Sequence, residues 1–249
     1  MKKVLFRADD LGYSEGVNYG IEKSVRDGLI RSVGIMTNME AAAHGVRLLE
    51  GLEVCYGQHT NICNGRPLTD PALIPSIVGE NGEFKTSGEY RSAKEDFVVL
   101  SEVILEIEAQ YQRFKELTGR EPEYFEGHAV ASQNYFKGLA IVAERHGLKL
   151  CPISFDGSPV TVGATKCYVW LESMRPDYAP NACIRRMVAS AREDACEIYV
   201  CHPGYLDAYI MKHSSMLKPR PLEVEAVCDP ALKAWINTQD VTLVTYNDL

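Results

Sequence analysis

The fold class follows from residues 4–27, VLFRADDLGYSEGVNYGIEKSVRD, in which a short apolar run precedes a helical pattern. Val4–Ala8 has the composition of a β-strand. Apolar residues then recur at four-residue spacing through Glu15–Asp27, which predicts an amphipathic helix with Ser14 as its N-cap. A strand followed directly by a helix is the building unit of parallel α/β sheets.

The same alternation continues through the 249 residues. Further strands are predicted over Val33–Asn38, Val54–Ile62, Tyr124–Gly127, Leu148–Phe155, Cys167–Leu171, Glu197–Cys201 and Val241–Tyr246. Further helices are predicted over Ala41–Glu50, Glu95–Thr118, Asn134–His146, Ala182–Ala195 and Leu222–Asn237. Such alternation implies parallel strands joined by right-handed crossovers. About eight strands in this length favour one α/β domain, an irregular (β/α) barrel of the TIM type, over an open doubly wound sheet.

Two segments depart from this alternation. Residues 64–94 and 156–180 are rich in glycine, proline and polar side chains, and each follows the carboxyl end of a predicted strand. Long segments in that position often cover a site. We expect both to be rim loops or lids; the alternative is a solvated excursion.

The composition excludes several classes of partner. The net charge is −8 and the isoelectric point is near 5.3, whereas nucleic acids require a basic surface. No apolar stretch approaches the roughly 18–20 residues of a membrane span, and the start of the chain lacks a signal-peptide pattern. The eight cysteines form no CxxC pair, which indicates free thiols in a reducing compartment. We expect a cytoplasmic protein that binds neither nucleic acid nor membrane.

Acidic and imidazole side chains stand at the ends of several predicted strands. Asp9 and Asp10 end the first strand, and His59 in GQHTN, His128 in EGHAV and His202 in CHPG end later ones. Because parallel strands present their carboxyl ends on one rim, these groups are expected to converge. Asp10, His59 and His128 then form a candidate ligand set for a divalent metal with open positions. Two nitrogens and one oxygen suit Zn²⁺, Mn²⁺ or Co²⁺, and Mg²⁺ less well.

The remaining polar groups have candidate catalytic or substrate roles. Asp9 beside a bound cation suits a proton acceptor, and His202 a proton donor rather than a fourth ligand. Alternatives are a solvated turn for the aspartates and a cap of the Pro-Gly turn for His202. Arg220, Asn61 and Glu126 are candidate substrate contacts, although Asn61 is also typical of a turn and Glu126 of a strand-end surface charge.

The motifs resemble those of one family. RADDLGYSEGVNYGI, GQHTN, EGH, CHPG and the R-x-x-E element at Arg220 and Glu223 occur in the order seen in the YdjC/ChbG family of carbohydrate deacetylases. The resemblance covers almost the whole chain. It implies an α/β barrel, compatible with a homodimer, and a hydrolase with one divalent metal ion, Mg²⁺ or Zn²⁺. Its members remove N-acetyl groups from amino sugars, including chitooligosaccharides such as diacetylchitobiose.

The resemblance also implies roles for individual residues. Asp10, His59 and His128 would bind the metal, Asp9 would act as base, and His202 as acid or electrostatic partner. Two motifs differ from the family pattern. Arg7 stands where an asparagine is usual, and residues 126–130 read EGHAV where D-G-H-Q-H is usual, so Val130 replaces the second histidine.

The hypothesis from the sequence is a metal-dependent deacetylase acting on an N-acetylated amino sugar or short oligosaccharide. One alternative is hydrolysis of another small ester or a phosphate at the same site. The other is a non-catalytic regulatory protein that binds a sugar or a metal, which the altered third motif suggests.

Overall fold

The computed structural model describes residues 1–154 and 156–249 as one α/β domain. Its strands are β1 (Lys3–Leu11), β2 (Ser32–Ile35), β3 (Cys55–Thr60), β4 (Tyr124–Gly127), β5 (Val160–Val162), β6 (Thr165–Trp170), β7 (Ala195–Cys201) and β8 (Thr242–Val244). Its helices are α1 (Glu15–Arg26), α2 (Ala42–Leu48), α3 (Ser87–Ser92), α4 (Leu100–Thr118), α5 (Gln133–His146), α6 (Pro180–Ala189), α7 (Ala208–His213), α8 (Pro219–Cys228) and α9 (Pro230–Ile236). Short 3₁₀ turns occupy Pro71–Leu73 and Tyr246–Asp248.

The strands form one sheet in the order β4-β3-β2-β1-β7-β6-β5, and β8 pairs with the first residues of β1. All strand pairs are parallel except the β5–β6 hairpin. The predicted single α/β domain with a parallel sheet is therefore confirmed.

A closed TIM-type barrel is not confirmed. Among the described residues, β4 and β5 are opposite edges of the sheet and do not pair, so the curled sheet is a half-barrel. The strand predicted over Leu148–Phe155 would have helped to close it. It contributes only an isolated bridge between Phe125 and Leu150, and its last residue, Phe155, lies outside the described residues.

Most predicted helices form close to their expected bounds. Ser14 caps α1 by accepting a hydrogen bond from the Val17 amide, and α4 ends where Gly119 adopts φ 70°. The helix predicted over Leu222–Asn237 is instead two, α8 and α9. Pro230 has no amide hydrogen to continue a helix, and the Asp229 side chain caps the new one.

The two segments expected at the rim differ in structure. Residues 64–94 contain a 3₁₀ turn, α3 and a bridge between Val78 and Phe84. Residues 156–180 are not a loop throughout, because β5 and β6 extend the sheet at its edge. The three-residue strand β5 was not predicted; it is too short to give a periodic pattern.

Apolar side chains fill both faces of the sheet. Two larger clusters lie between the sheet and its helices, and a third lines the concave face, with Leu5, Tyr124, Ile198, Val200 and Tyr246 among its members. In the described part of the chain all eight cysteines are free thiols, and seven are buried. None of the described helices has the length and apolar composition required to cross a membrane.

Candidate active site

The end of β1 has a strained backbone. Asp10 adopts φ 76°, and the register of β1 against β2 shifts between Ala8 and Leu11. A positive φ is uncommon for a residue other than glycine. In a regular strand, neighbouring side chains point to opposite faces. The bulge overrides that alternation, so Asp9 and Asp10 line the same cavity.

Three ligand atoms meet beside this bulge. Asp10 Oδ1 lies 3.2 Å from His59 Nε2 and 3.1 Å from His128 Nδ1, and the two nitrogens are 2.8 Å apart. All three residues are buried. Apart from these two ring nitrogens, Asp10 Oδ1 has no polar partner among the described residues. A buried carboxylate oxygen requires compensation, which protonated imidazoles or a cation between the three atoms would supply.

Hydrogen bonds orient both imidazoles. His59 Nδ1 contacts Glu126 Oε1, which directs Nε2 toward Asp10. His128 Nε2 lies 3.1 Å from the Asn64 side-chain amide, which leaves Nδ1 facing Asp10. A carboxylate or amide behind an imidazole is the usual support of a histidine metal ligand.

Each aspartate is held by its own arginine. Arg220 donates to Asp10 Oδ2 at 2.8 Å, and Arg7 donates to Asp9 Oδ2 at 2.7 Å. Arg7 also lies 3.6 Å from Glu126 Oε2. Arg7 and Glu126, at both of which the motifs differ from the family pattern, are thus in contact with each other, and Val130, which replaces the second histidine of the third motif, lines the same cavity.

The electrostatic environment of the cluster favours a positive charge. Burial alone would raise the pKa of Asp10, but Arg220, His128 and His59 outweigh it, and this pKa is well below its usual value. Burial alone would lower the pKa of His128, but Asp10 raises it to about 9. Burial also opposes protonation of His59, and Glu126 and Asp9 raise its pKa well above the usual range.

His202 lies in the same cavity with a different environment. Its backbone amide donates to Glu223 Oε2 at 2.7 Å, which fixes the backbone after β7. Its Nδ1 has no hydrogen-bond partner among the described residues. Burial lowers the pKa of His202 to about 4, against the opposing effect of Asp10 and Asp9, so the ring is neutral at pH 7.

Of the three candidate substrate contacts, two line the cavity and one does not. Arg220 and Glu126 line the cavity, and each contacts a residue of the cluster. Asn61 is fully buried and does not line it. Its Oδ1 accepts the amides of Cys63 and Asn64, as expected of a turn former. Asn61 therefore shapes the backbone after β3.

Sequence reasoning missed several contributors to the site, among them Gly34 and Asn64. Gly34 lies on β2, between the strands that carry Asp9 and His59. A Cβ atom there would lie 3.0 Å from the His59 Cβ and 3.1 Å from Glu126 Oε1. Its signal was a glycine inside a predicted strand, which often marks a close approach. Asn64 gave no signal beyond lying three residues after another asparagine.

These groups lie at one wall of a cavity of about 530 Å³. Segment 64–94 contributes Asn64, Ser87 and Arg91 to its lining. Segment 156–180 contributes residues of β5 and β6 together with Leu171 and Met174. The space is of the size that a small ligand occupies.

Comparison with known proteins identifies the family. A family model described as YdjC-like protein matches residues 3–238. The chain belongs to the YdjC-like protein family. It is 31% identical over 252 residues to a carbohydrate deacetylase of Geobacillus stearothermophilus, with 98% of this chain and 96% of that protein aligned.

One further relative and one solved structure extend the comparison. A chitooligosaccharide deacetylase of Salmonella heidelberg is 30% identical over 247 residues, covering 95% of each chain. A crystal structure from Enterococcus faecalis V583, named as a candidate cellobiose-phosphate cleavage protein, superposes with a TM-score of 0.84 at 20% identity. It covers 99% of this chain and 98% of that one. At that identity the likeness shows a shared fold.

Proposed function

We propose that this YdjC-like protein is a metal-dependent deacetylase that hydrolyses the N-acetyl group of an amino sugar or short oligosaccharide. The observation that carries the proposal is the convergence of Asp10 Oδ1, His59 Nε2 and His128 Nδ1 within 2.8–3.2 Å of one another. The names of the carbohydrate and chitooligosaccharide deacetylases to which the chain is related support the substrate class.

The donor set fits a divalent cation. Metal–ligand bonds of about 2.1 Å at right angles place neighbouring ligand atoms roughly 3 Å apart. The observed separations are close to that value, which suits three ligands on one face of the ion. Two imidazole nitrogens favour Zn²⁺ or a similar transition metal over Mg²⁺. When bound, such an ion supplies Lewis acidity, which polarises a carbonyl and makes a water molecule more acidic.

Asn64 supports His128 as a metal ligand. Its amide oxygen and nitrogen exchange places by rotation of the side chain. With Oδ1 toward His128, the amide accepts the Nε2 hydrogen, and the lone pair on Nδ1 is available. The Tyr13 hydroxyl, 3.0 Å from Asn64, can then accept from the amide and donate to the carbonyl of His213.

Asp9 is the proton acceptor in this proposal. It lines the cavity beside the ligand atoms, and Arg7 fixes its orientation. It removes a proton from the water that attacks the acetyl carbonyl carbon. As the C–N bond breaks, the leaving amine requires a proton. His202 is neutral at pH 7, so it takes up the proton that Asp9 removed from the water and then passes it to the amine, which leaves both groups in their starting states.

The segments around the site complete the proposal. Residues 64–94 and 156–180 act as walls or lids over bound substrate, since both contribute lining residues. Arg220 holds Asp10, and Glu126 holds His59, so both position ligands. The buried free thiols support a cytoplasmic setting. The homodimer is part of the proposal and is checked by sedimentation velocity.

The test removes one ligand at a time. His59→Ala and Asp10→Ala are expected to lose bound metal and to release acetate from N-acetylated sugars at least about a hundredfold more slowly. His146→Ala is the control, because His146 pairs with Glu108 outside the cavity. Metal content and acetate release equal to the control would refute the proposal. An intact metal site without acetate release from any sugar would favour the regulatory alternative.

A further inference from the structure

The cavity has two chemically different sides. On one side, polar residues surround Tyr13, whose hydroxyl contacts Asn64 and the carbonyl of His213. Arg91 and Ser214 are further polar residues of the lining. The other side is an aliphatic cleft along β7, β6 and the edge strand β5. Its lining residues are Ile153, Val160, Val169, Leu171, Ile198 and Val200.

The aliphatic cleft is continuous with the reacting groups. Ile198, Val200 and His202 alternate along the same face of β7 and the residue that follows it, and all three line the cavity. Val169 is the register neighbour of Ile198 on β6. Val200 is therefore the apolar residue next to His202, and the cleft continues from there across β6 and β5.

The character of the cleft points to a hydrocarbon. Among the described lining residues, β5 and β6 contribute only valines, without a charged group or a hydrogen-bond donor. Leu171 and Ile153 are 41% and 38% exposed, so large apolar side chains face solvent at its mouth. Contiguous exposed apolar surface next to a reaction site usually marks a ligand contact. An acetyl group has a single methyl carbon and would leave most of this surface uncovered.

We propose that the aliphatic cleft binds the hydrocarbon chain of an N-acyl group longer than acetyl. This inference rests on the proposed function, with the same hydrolysis of the C–N bond by water. The products are a medium-chain carboxylate and a free amino sugar, with the sugar on the polar side of the cavity. Each methylene placed in the cleft is expected to increase kcat/KM about fourfold until the cleft is full.

The experiment compares acyl lengths on one sugar. N-acetyl, N-butyryl, N-hexanoyl and N-octanoyl derivatives of glucosamine and of chitobiose are supplied to the Zn²⁺-loaded protein, and the free amine is measured. A rise in kcat/KM from acetyl to hexanoyl is expected. A steady fall with acyl length, while acetate is still released, would overturn the inference and leave the proposed function intact. No release from any derivative, acetyl included, would overturn both.

Substitutions in the cleft test whether it is the source of the preference for longer acyl groups. Val169→Phe fills the cleft and is expected to lower the ratio of hexanoyl to acetyl kcat/KM at least about tenfold. Leu171→Ser, at an exposed position that tolerates substitution, should lower the ratio about fivefold. Thr161→Phe is the matched control, because Thr161 lies on the same hairpin, is exposed and does not line the cavity. Equal ratios in Val169→Phe, Leu171→Ser and the control would contradict the assignment.

A second substrate series tests whether the cleft instead binds a hydrophobic group attached to the sugar. If it holds a hydrophobic group attached to the sugar, the hexyl glycoside of N-acetylglucosamine will be hydrolysed faster than the methyl glycoside. That result, together with no preference for longer acyl groups, would overturn the N-acyl assignment.

Discussion

At the scale of single residues, the site is a balance of buried charges. Asp9, Asp10 and Glu126 are buried carboxylates, and Arg7 and Arg220 are the guanidinium groups that contact them. Three negative and two positive groups leave one negative charge. A proton on one imidazole neutralises this charge when no cation is bound, and protons on both His59 and His128 leave one positive charge; the pKa values of both rings are raised. A divalent cation would replace those protons, so metal binding should release protons to solvent.

Glu223 gives a pH dependence that belongs to a single side chain. Burial raises the pKa of Glu223 to about 7, although Ser173, the His202 amide and Tyr178 donate hydrogen bonds to it. The usual value is 4.5, so the folded protein binds the proton more tightly than the unfolded chain. Its contribution to stability is complete below about pH 4.5 and is lost as the pH rises through 7.

The prediction is that the free energy of unfolding falls by roughly 3 kcal/mol between pH 5 and pH 8 in the wild type, from this group alone. In Glu223→Gln the decrease should be much smaller, because glutamine is not ionised. Urea unfolding at pH 5, 6.5 and 8 measures it. Glu225→Gln, an exposed position on the same helix, should behave as the wild type. A decrease as steep in Glu223→Gln would contradict the prediction.

At the scale of elements, one buried carboxylate fastens segment 64–94 to a helix. Glu106 on α4 is fully buried, and burial raises its pKa. Its carboxylate accepts the amides of Leu68 at 3.2 Å and Thr69 at 2.9 Å, and the side chain of Gln110 at 2.7 Å. The wall of the cavity on this side therefore depends on a helix far from the metal cluster in sequence.

Glu106→Ala is expected to remove the acceptor of the Leu68 and Thr69 amides and one of the two acceptors of the Gln110 side chain, and to destabilise the protein by about 2 kcal/mol. Proteolysis within residues 64–94 should become faster, and KM for substrate should rise more than kcat falls. Limited proteolysis with mass spectrometry and steady-state kinetics measure these effects. Glu116→Ala, an exposed position on the same helix, is the control. Identical cleavage rates in the two variants would show that Glu106 does not anchor the segment.

The elements differ in how well the sequence predicts them. The strand–helix unit at residues 4–27 is local, with a clear apolar period and a cap at Ser14, and it formed as expected. The pair Asp229-Pro230 indicates a break between α8 and α9. The apolar period continues across this pair, however, and predicts a single helix. Closure of the barrel depends on whether residues near Leu150 pair with two neighbouring strands, and a period-two pattern carries no information on partners.

At the scale of the whole molecule, the strand order determines which side chains of the site come into contact, and the sequence alone does not show that order. Residues at strand ends were expected to share one rim, and Asp10, His59 and His128 do meet. Arg7, Gly34 and Tyr246 act from inside the half-barrel, and their contacts depend on which strands become neighbours. Arg7 meets Glu126 only because β1, β2, β3 and β4 lie in that order. That pairing was not predictable from either residue alone.

The two ends of the chain meet beneath the site. Strand β8 pairs with Lys3–Leu5, and this places Tyr246 in the interior of the half-barrel. The ring of Tyr246 stacks on Tyr124, with centroids 4.0 Å apart, and its hydroxyl accepts a hydrogen bond from Arg7 at 3.0 Å. The last residues therefore support the arginine that orients Asp9, so stability and catalysis are coupled through one side chain.

Two substitutions at Tyr246 separate these effects. Tyr246→Ala leaves a large cavity and is expected to lower the free energy of unfolding by about 3–5 kcal/mol. Tyr246→Phe keeps the ring and removes only the acceptor for Arg7, at a cost of about 1–3 kcal/mol. Its bound metal should be nearly unchanged, since Arg7 contacts none of the three ligands directly and reaches His59 only through Glu126, 3.6 Å away, while kcat decreases. Tyr19→Phe, on an exposed ring of α1, is the matched control in urea unfolding, metal analysis and acetate release. Loss of metal from Tyr246→Phe without loss of stability would place Tyr246 in the support of the ligands instead of the base.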